Sequence, residues 1–354
     1  MQRNTSLDNP WKQMSAVGEK ALYADTKGTS FSNVSVRNTV GTVGLLESTI
    51  LPSISIHGGL SIIAYGIAVS TDRLEVKDLL WPSAQLANVL WAAVGSRMYH
   101  QDISFPKAWS TLGWNEKVLV TGMTLWGGRL FSRILARTLA RGEDDARYIE
   151  VKKEKDFWSK ALFTHFVPEA LFQAVITLPF TISFRALPSE TLHAPSEWFP
   201  VIHSLAVGLF SAGFALETLA DAQLDKHKQS STGMKTDGVW SIVRHPNYLG
   251  DALIHVSFPI MLYGSGLLHP LALFSPIANY VYLRFVGGDR PTETSQRRRY
   301  STSDPVKFKQ FEAYSEEKNS FWPSTKEFRN PWLWVIVGAG VVGAAVERVL
   351  RDYL

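Results

Sequence analysis

Residues 217–251, ETLADAQLDKHKQSSTGMKTDGVWSIVRHPNYLGD, hold the side chains best suited to gripping a strongly polar ligand. Asp221, Lys226, Lys228, Arg244, His245, Asn247, Tyr248 and Asp251 lie between an apolar run ending at Ala220 and another beginning at Ala252. Ionisable groups at such a boundary are costly unless they are paired or functional. Pro246 restricts His245 to extended backbone and suits the first position of a helix. Asn247, Tyr248 and Asp251 then occupy the opening turns, with Asn247 and Asp251 four apart on one face. Arg244 and His245 lead into a helix N-terminus, whose free N–H groups favour phosphate. Gly238 and Gly250 admit unusual dihedrals or close backbone approach.

A second group lies upstream in RGEDDARY, residues 141–148. A phenol with an ordinary pKa of about 10 is protonated at neutral pH and able to donate, which makes Tyr148 a candidate acid. Glu143 and Asp144 either orient it or pair with nearby arginines. Arg129, Arg133, Arg137 and Arg141 recur every four residues, a slowly drifting helical stripe. That stripe either snorkels toward lipid headgroups or holds phosphates. His245 reads as a fixed hydrogen-bonding partner rather than a proton shuttle. The nine histidines show no close pairing with carboxylates, so no metal site is expected. Cysteine is absent, which excludes disulfides and thiolate chemistry. The segment GAGVVG at 338–343 matches a dinucleotide fingerprint, but that fold needs a βαβ unit of about 30 residues and an acidic residue roughly 20 positions on. The better reading is a membrane helix with small residues at four-residue spacing, Ala339/Gly343 and Gly340/Ala344.

Apolar helices must position these groups. Mean hydropathy is −0.02, which a soluble enzyme also shows, so the distribution of charge decides. Asp, Glu, Lys and Arg are missing from 48–71, 79–96, 198–216 and 252–283. A bilayer span needs roughly 20 mostly apolar residues. The last run serves two helices broken at His269-Pro270, and weaker spans lie at 118–137, 161–184 (interrupted by Glu169) and 330–346. A soluble helix would carry a charged face. The expected fold is therefore all-α, a polytopic transmembrane helical bundle of about seven or eight helices. Residues 48–354 form one integral membrane domain and 1–47 a polar, flexible tail. Lys and Arg crowd 129–160, 226–244 and 284–329, which places these segments on the cytosolic side. The net charge of +4 is explained by that topology, and nucleic acid is not an expected partner. The polar stretch 287–310 reads as a flexible surface insert.

GVWSIVRHPNYLGD resembles the G-x-W-x-x-x-R-H-P-N-Y-x-G-E signature of the steroid 5-alpha-reductase C-terminal domain family. So do Glu217, Asp221 and Gln223 before it, LWGGRL (125–130), RGEDDARY, Gln173 with LPF (178–180), and FKQFEAYSEEKNSFWP (308–323). The similarity covers about 120–325, in order; Asp251 stands where that family usually has Glu, and 290–307 is longer. The resemblance implies an endoplasmic reticulum membrane enzyme using NADPH on a carbon–carbon double bond conjugated to a ketone in a sterol-like lipid. By motif, Asp221, Arg244, His245, Asn247, Tyr248, Asp251 and Arg284 would serve the cofactor, with Lys226 and Lys228 at its adenosine phosphate. Tyr148 and Glu143 would serve catalysis. Two other readings stay open: a lipid or isoprenylcysteine methyltransferase using S-adenosylmethionine, which shares R-H-P-x-Y-x-G, and a non-catalytic sterol or lipid binder.

Overall fold

A computed structural model describes residues 46–353, apart from 187 and 232. Residues 1–45 of the expected tail lie outside the described part. The longer helices are α1 (Leu51–Thr71), α2 (Leu80–Leu90), α3 (Trp114–Arg141), α4 (Val167–Ile176), α5 (Phe199–Ser230), α6 (Pro246–Gly264), α7 (Phe274–Val281), α8 (Asp289–Ser303), α9 (Pro305–Glu317) and α10 (Pro331–Tyr353). No β-strand occurs among the described residues, where the one extended pairing is an isolated bridge, Leu192 to Leu268. An all-helical chain satisfies its backbone polar groups locally, as a bilayer demands.

The charge-poor runs of the sequence are helical apart from 265–269, the break inside 252–283. Three segments are long and apolar enough to cross a bilayer: α1, Ser196–Ser230 around α5, and α10. Their outer faces present bare aliphatic side chains, with Ile62 and Ile63 each 61% exposed and Val341 65%. Such faces suit lipid rather than water, and this is the build of an integral membrane protein. The remaining segments differ for local reasons. α3 carries the arginine stripe. α2 runs into a wide π turn at Trp91–Gly95, and α7 into another at Tyr282–Val286. α6 stops at Gly264, and the return begins at His269-Pro270, where the His269 Nδ1 accepts the Leu271 N–H at 3.2 Å.

The centre of the bundle is α5 against α6. A methyl group on Gly250 would sit 2.6 Å from the carbonyl oxygen of Gly213, so the two backbones touch and only glycine fits. This contact anchors the RHPNY segment to the middle of α5. On α5's other side α10 packs through Gly340 against Gly208, the helical use of GAGVVG expected from its spacing.

One expectation is overturned. The polar stretch 287–310 is helical, not a flexible insert: it forms α8 and starts α9. Asp304 caps α9 by accepting the Lys307 N–H at 2.9 Å, and Pro305 follows at the first helical position. That is a strong local start signal. Asp289 is fully buried at the other end. α8 thereby lies beside the RHPNY loop and completes the site.

Candidate functional site

A cavity of about 830 Å³ opens beside the inner ends of these helices. Its buried end is lined by Lys77, Trp81, Glu169, Asp251 and Tyr282, and its mouth by Lys228, Lys235, Arg299 and Lys307. The RHPNY segment forms the wall between the two.

That wall is heavily braced. Arg244 donates to Glu293 at 2.9 and 2.7 Å, to the Ser315 carbonyl at 3.1 Å, and to the Lys318 carbonyl. His245 shares Glu293 at 2.9 Å and stacks on Tyr248, ring centroids 5.3 Å apart. Burial holds the His245 imidazole below its ordinary pKa, although Glu293 pulls the other way. A neutral ring then donates from Nε2, the fixed partner expected of it. For Glu293, burial pushes the carboxyl up, but His245 and Arg244 outweigh burial and hold it at about 2. The Asp251 carboxylate receives Trp81 at 3.0 Å and Asn279 at 2.9 Å, and its backbone carbonyl meets His255 Nδ1 at 3.0 Å. Asp221 receives Arg129 at 2.8 Å and Arg133 at 3.0 Å. Asp221, Arg244, His245 and Asp251 therefore line the cavity with their polar atoms already engaged by protein.

Two motif residues remain available. Asn247 lines the cavity and its buried Oδ1 carries no hydrogen bond. The Tyr248 hydroxyl makes only a long hydrogen bond, 3.5 Å, to Thr292. Two expected ligands are misplaced. Lys226 is exposed and outside the lining, whereas Lys228 belongs to it. Residues two apart on a helix point about 200° apart, so both lysines of α5 could not face one ligand. Arg284 also lies outside the lining, for the same reason: Tyr282 faces the cavity two residues earlier. Its guanidinium is turned onto Asp289, Ser320 at 2.9 Å and the Phe321 ring.

The acidic loop differs from expectation in its partners. Tyr148 sits on the single turn Ala146–Ile149 and donates to Asp78 at 2.6 Å, not to Glu143 or Asp144. Glu143 is exposed at the rim, and its backbone carbonyl accepts from Arg73 at 3.1 Å. Asp144 caps the turn at Leu74–Leu79, accepting the Leu74 and Glu75 N–H groups at 2.9 and 3.0 Å. Burial raises the Tyr148 phenol well above its ordinary pKa; Arg147 opposes that and Asp78 adds to it. Burial also pushes Asp78 up, but Arg147 and Lys77 prevail and keep it ionised.

The arginine stripe is neither a row of snorkelling side chains nor wholly a ligand site. Arg129, Arg133 and Arg141 bind carboxylates of α5 and of the 75–145 region. Arg137 is the least committed, 3.8 Å from Asp78 with a buried Nε lacking a partner. At the mouth, Lys228, Arg299 and Lys307 make no ion pair among the described residues. Cations without a carboxylate partner (Arg299 and Lys307 rest on the Tyr300 ring) and an orphaned amide on the same cavity fit a phosphorylated, amide-bearing cofactor such as NADPH: the cations for its phosphates, Asn247 Oδ1 for an N–H. Lys77, Asp78, Trp81, Glu169 and Glu293 escaped the sequence reading. Glu169, the lone acid in its apolar run, was the one with a usable signal.

A family model described as a protein of unknown function, DUF1295, matches residues 64–316. An uncharacterized protein of Schizosaccharomyces pombe is 24% identical over 241 residues, covering 61% of this chain. The matched region spans 62% of that relative's length. No solved structure matches.

Proposed function

Since the chain belongs to the DUF1295 family, whose description names no activity, we propose from the site itself that it is a membrane-embedded, NADPH-dependent reductase of a lipid enone. One observation carries the reading: a single cavity has cations without ion pairs at its mouth, the RHPNY segment along its wall and the half-buried Tyr148 phenol inside. Bound NADPH would supply the hydride, and the protein would supply orientation and electrostatics. Lys228, Arg299 and Lys307 take the phosphates, and Asn247 takes an amide donor. Arg244, His245 and Asp251 hold the wall in shape. Tyr148, aligned by Asp78, sits on the proton-donating side. S-adenosylmethionine has no phosphate, so a methyltransferase would leave the cationic mouth without a task.

We place all seven or eight charge-poor segments in the bilayer, in the endoplasmic reticulum, with the cavity mouth cytosolic. The positive-inside bias supports that orientation, because α8, the 226–244 connector and the end of α3 are the basic parts. The chain contains no cysteine, so single cysteines can be labelled with an impermeant reagent. Opposite accessibility of positions in 142–146 and 231–237 would break the site model, since both border one cavity.

The deciding assay uses detergent-solubilised protein. NADPH should raise its melting temperature more than S-adenosylmethionine does, by mass action. A panel of sterol and straight-chain enones should then drive NADPH oxidation. Tyr148→Phe should lower kcat about 100-fold while leaving the NADPH thermal shift intact. Stabilisation by S-adenosylmethionine alone would overturn the reading.

A further inference from the structure

We infer that Lys77 is the oxyanion-binding group of this cavity, an inference that rests on the reductase reading above. Lys77 lies on the turn Leu74–Leu79, immediately before α2. Its ammonium is carried into the buried end of the cavity, 2.9 Å from Glu169 Oε2 and 5.3 Å from the centre of the Tyr148 ring. Asp78 Oδ1 stands 3.7 Å away, within Coulombic reach but beyond a hydrogen bond.

The argument is one of proton inventory. Tyr148 owns a single O–H, and that hydrogen is directed at Asp78 over 2.6 Å. An ammonium carries three hydrogens. Glu169 takes one, which leaves Lys77 with donors to spare on the cavity side. Asp78 does not depend on Lys77 for neutralisation, because Arg147 meets it at 2.6 Å. Glu169 does, since its other partners are neutral, the Gln173 amide at 3.2 Å and the Tyr282 hydroxyl. The pair Lys77–Glu169 is therefore a cation fixed in place by its own counter-ion, with both partners buried and held on two separate elements. A donor preorganised in this way stabilises charge that develops during reaction far better than one that must reorient.

Reduction of an enone generates such charge. Bound NADPH would supply a hydride to the β carbon of the enone, which would shift the double-bond electrons and leave the negative charge on the carbonyl oxygen. Lys77 donates a hydrogen bond to that oxygen and keeps its proton. The α carbon takes its proton from Tyr148 once that O–H turns from Asp78 toward the substrate, and solvent returns a proton to the phenol. The product is the saturated ketone with oxidised cofactor. The two jobs belong to two residues, which makes them separable.

Lys77→Met alone strands a buried carboxylate and can unfold the protein, so the informative variant is the neutral pair Lys77→Met/Glu169→Gln. It should melt close to the wild type, yet its kcat should be lower by about 100-fold or more, the usual loss when one oxyanion donor is removed. A second readout needs no cofactor. An alkyl-substituted 4-nitrophenol, bound to the protein without NADPH, reports oxyanion stabilisation by its yellow phenolate absorbance. In the wild type and in Tyr148→Phe its apparent pKa should fall by about one unit or more. In Lys77→Met/Glu169→Gln it should return to the value in detergent alone. Full activity in a well-folded double variant, or a phenolate signal that survives it, would overturn the assignment and leave Lys77 a counter-ion. Should no enone drive NADPH oxidation while the phenolate signal still depends on Lys77, the reductase reading fails and the oxyanion site stands.

Discussion

The RHPNY wall and the neighbouring helix α8 trade the roles that their sequences suggest. Arg244, His245 and Asp251 look like ligand-binding groups, yet each is taken up by protein: Glu293, Ser315, Lys318, Trp81, Asn279 and His255. α8 looks like a polar surface insert, yet it supplies the Glu293 that neutralises the wall and the Arg299 that faces the mouth. A charged residue in a recognisable motif is thus not automatically a contact to ligand. Its function depends on whether a protein partner has already satisfied it, and buried charges are stable only when that has happened.

The sharpest way to break this contrast is Arg244→Ala. As a brace, its loss strands Glu293 and two carbonyls, and stability should drop by about 3–5 kcal/mol. The corresponding fall in melting temperature is on the order of 10 °C. A variant that melts normally but loses NADPH would make Arg244 a ligand after all. Asn247→Ala tests the other class of wall residue. With no protein partner at Oδ1 it should fold normally and lose about 5- to 150-fold in activity, from an unmet donor worth roughly 1–3 kcal/mol.

The brace also has a pH signature. Glu293 is held at about 2 against an ordinary 4.5, so its contribution is fully present above pH 4.5 and lost as pH falls toward 2. Melting temperature measured from pH 6 to pH 3 should decline below 4.5, and Glu293→Gln should flatten that part of the curve. An unchanged slope in Glu293→Gln would assign the acid sensitivity to other carboxylates. The smallest effect concerns the mouth. Lys228→Gln with Arg299→Gln should raise the KM for NADPH about 5- to 10-fold, NADH less, with little change in kcat or melting. Lys226→Gln, on the outward face of α5, should change neither. Equal losses for NADPH and NADH would move these cations away from the phosphate peculiar to NADPH.

Some of this was legible in the sequence by itself. Charge-free runs give helices because a bilayer leaves backbone groups no other partner. Pro246 starts α6, and His269-Pro270 separates it from α7, because proline's geometry acts locally. Gly250 was open to close backbone approach or to unusual dihedrals, and its contact with Gly213 is the former. The helical repeat also holds enough information to separate Lys226 from Lys228 and Tyr282 from Arg284, although reading the motif as a list of ligands ignores it. The capping pair Asp304-Pro305 was equally visible and marks α9.

What only the tertiary structure decided is which charges meet. Arg244 finds Glu293 across 49 positions, Tyr148 finds Asp78 across 70, Lys77 finds Glu169 across 92 and Trp81 finds Asp251 across 170. Glu143, five residues from Tyr148, stays at the rim, while Asp78 comes from another element to hold the phenol. Periodicity determines which face of one helix a side chain occupies, but not which face of another helix it will meet. That choice is made by packing, through backbone contacts such as Gly213 on Gly250, and the burial it produces forces each charge onto whatever partner the packing brings within 3 Å.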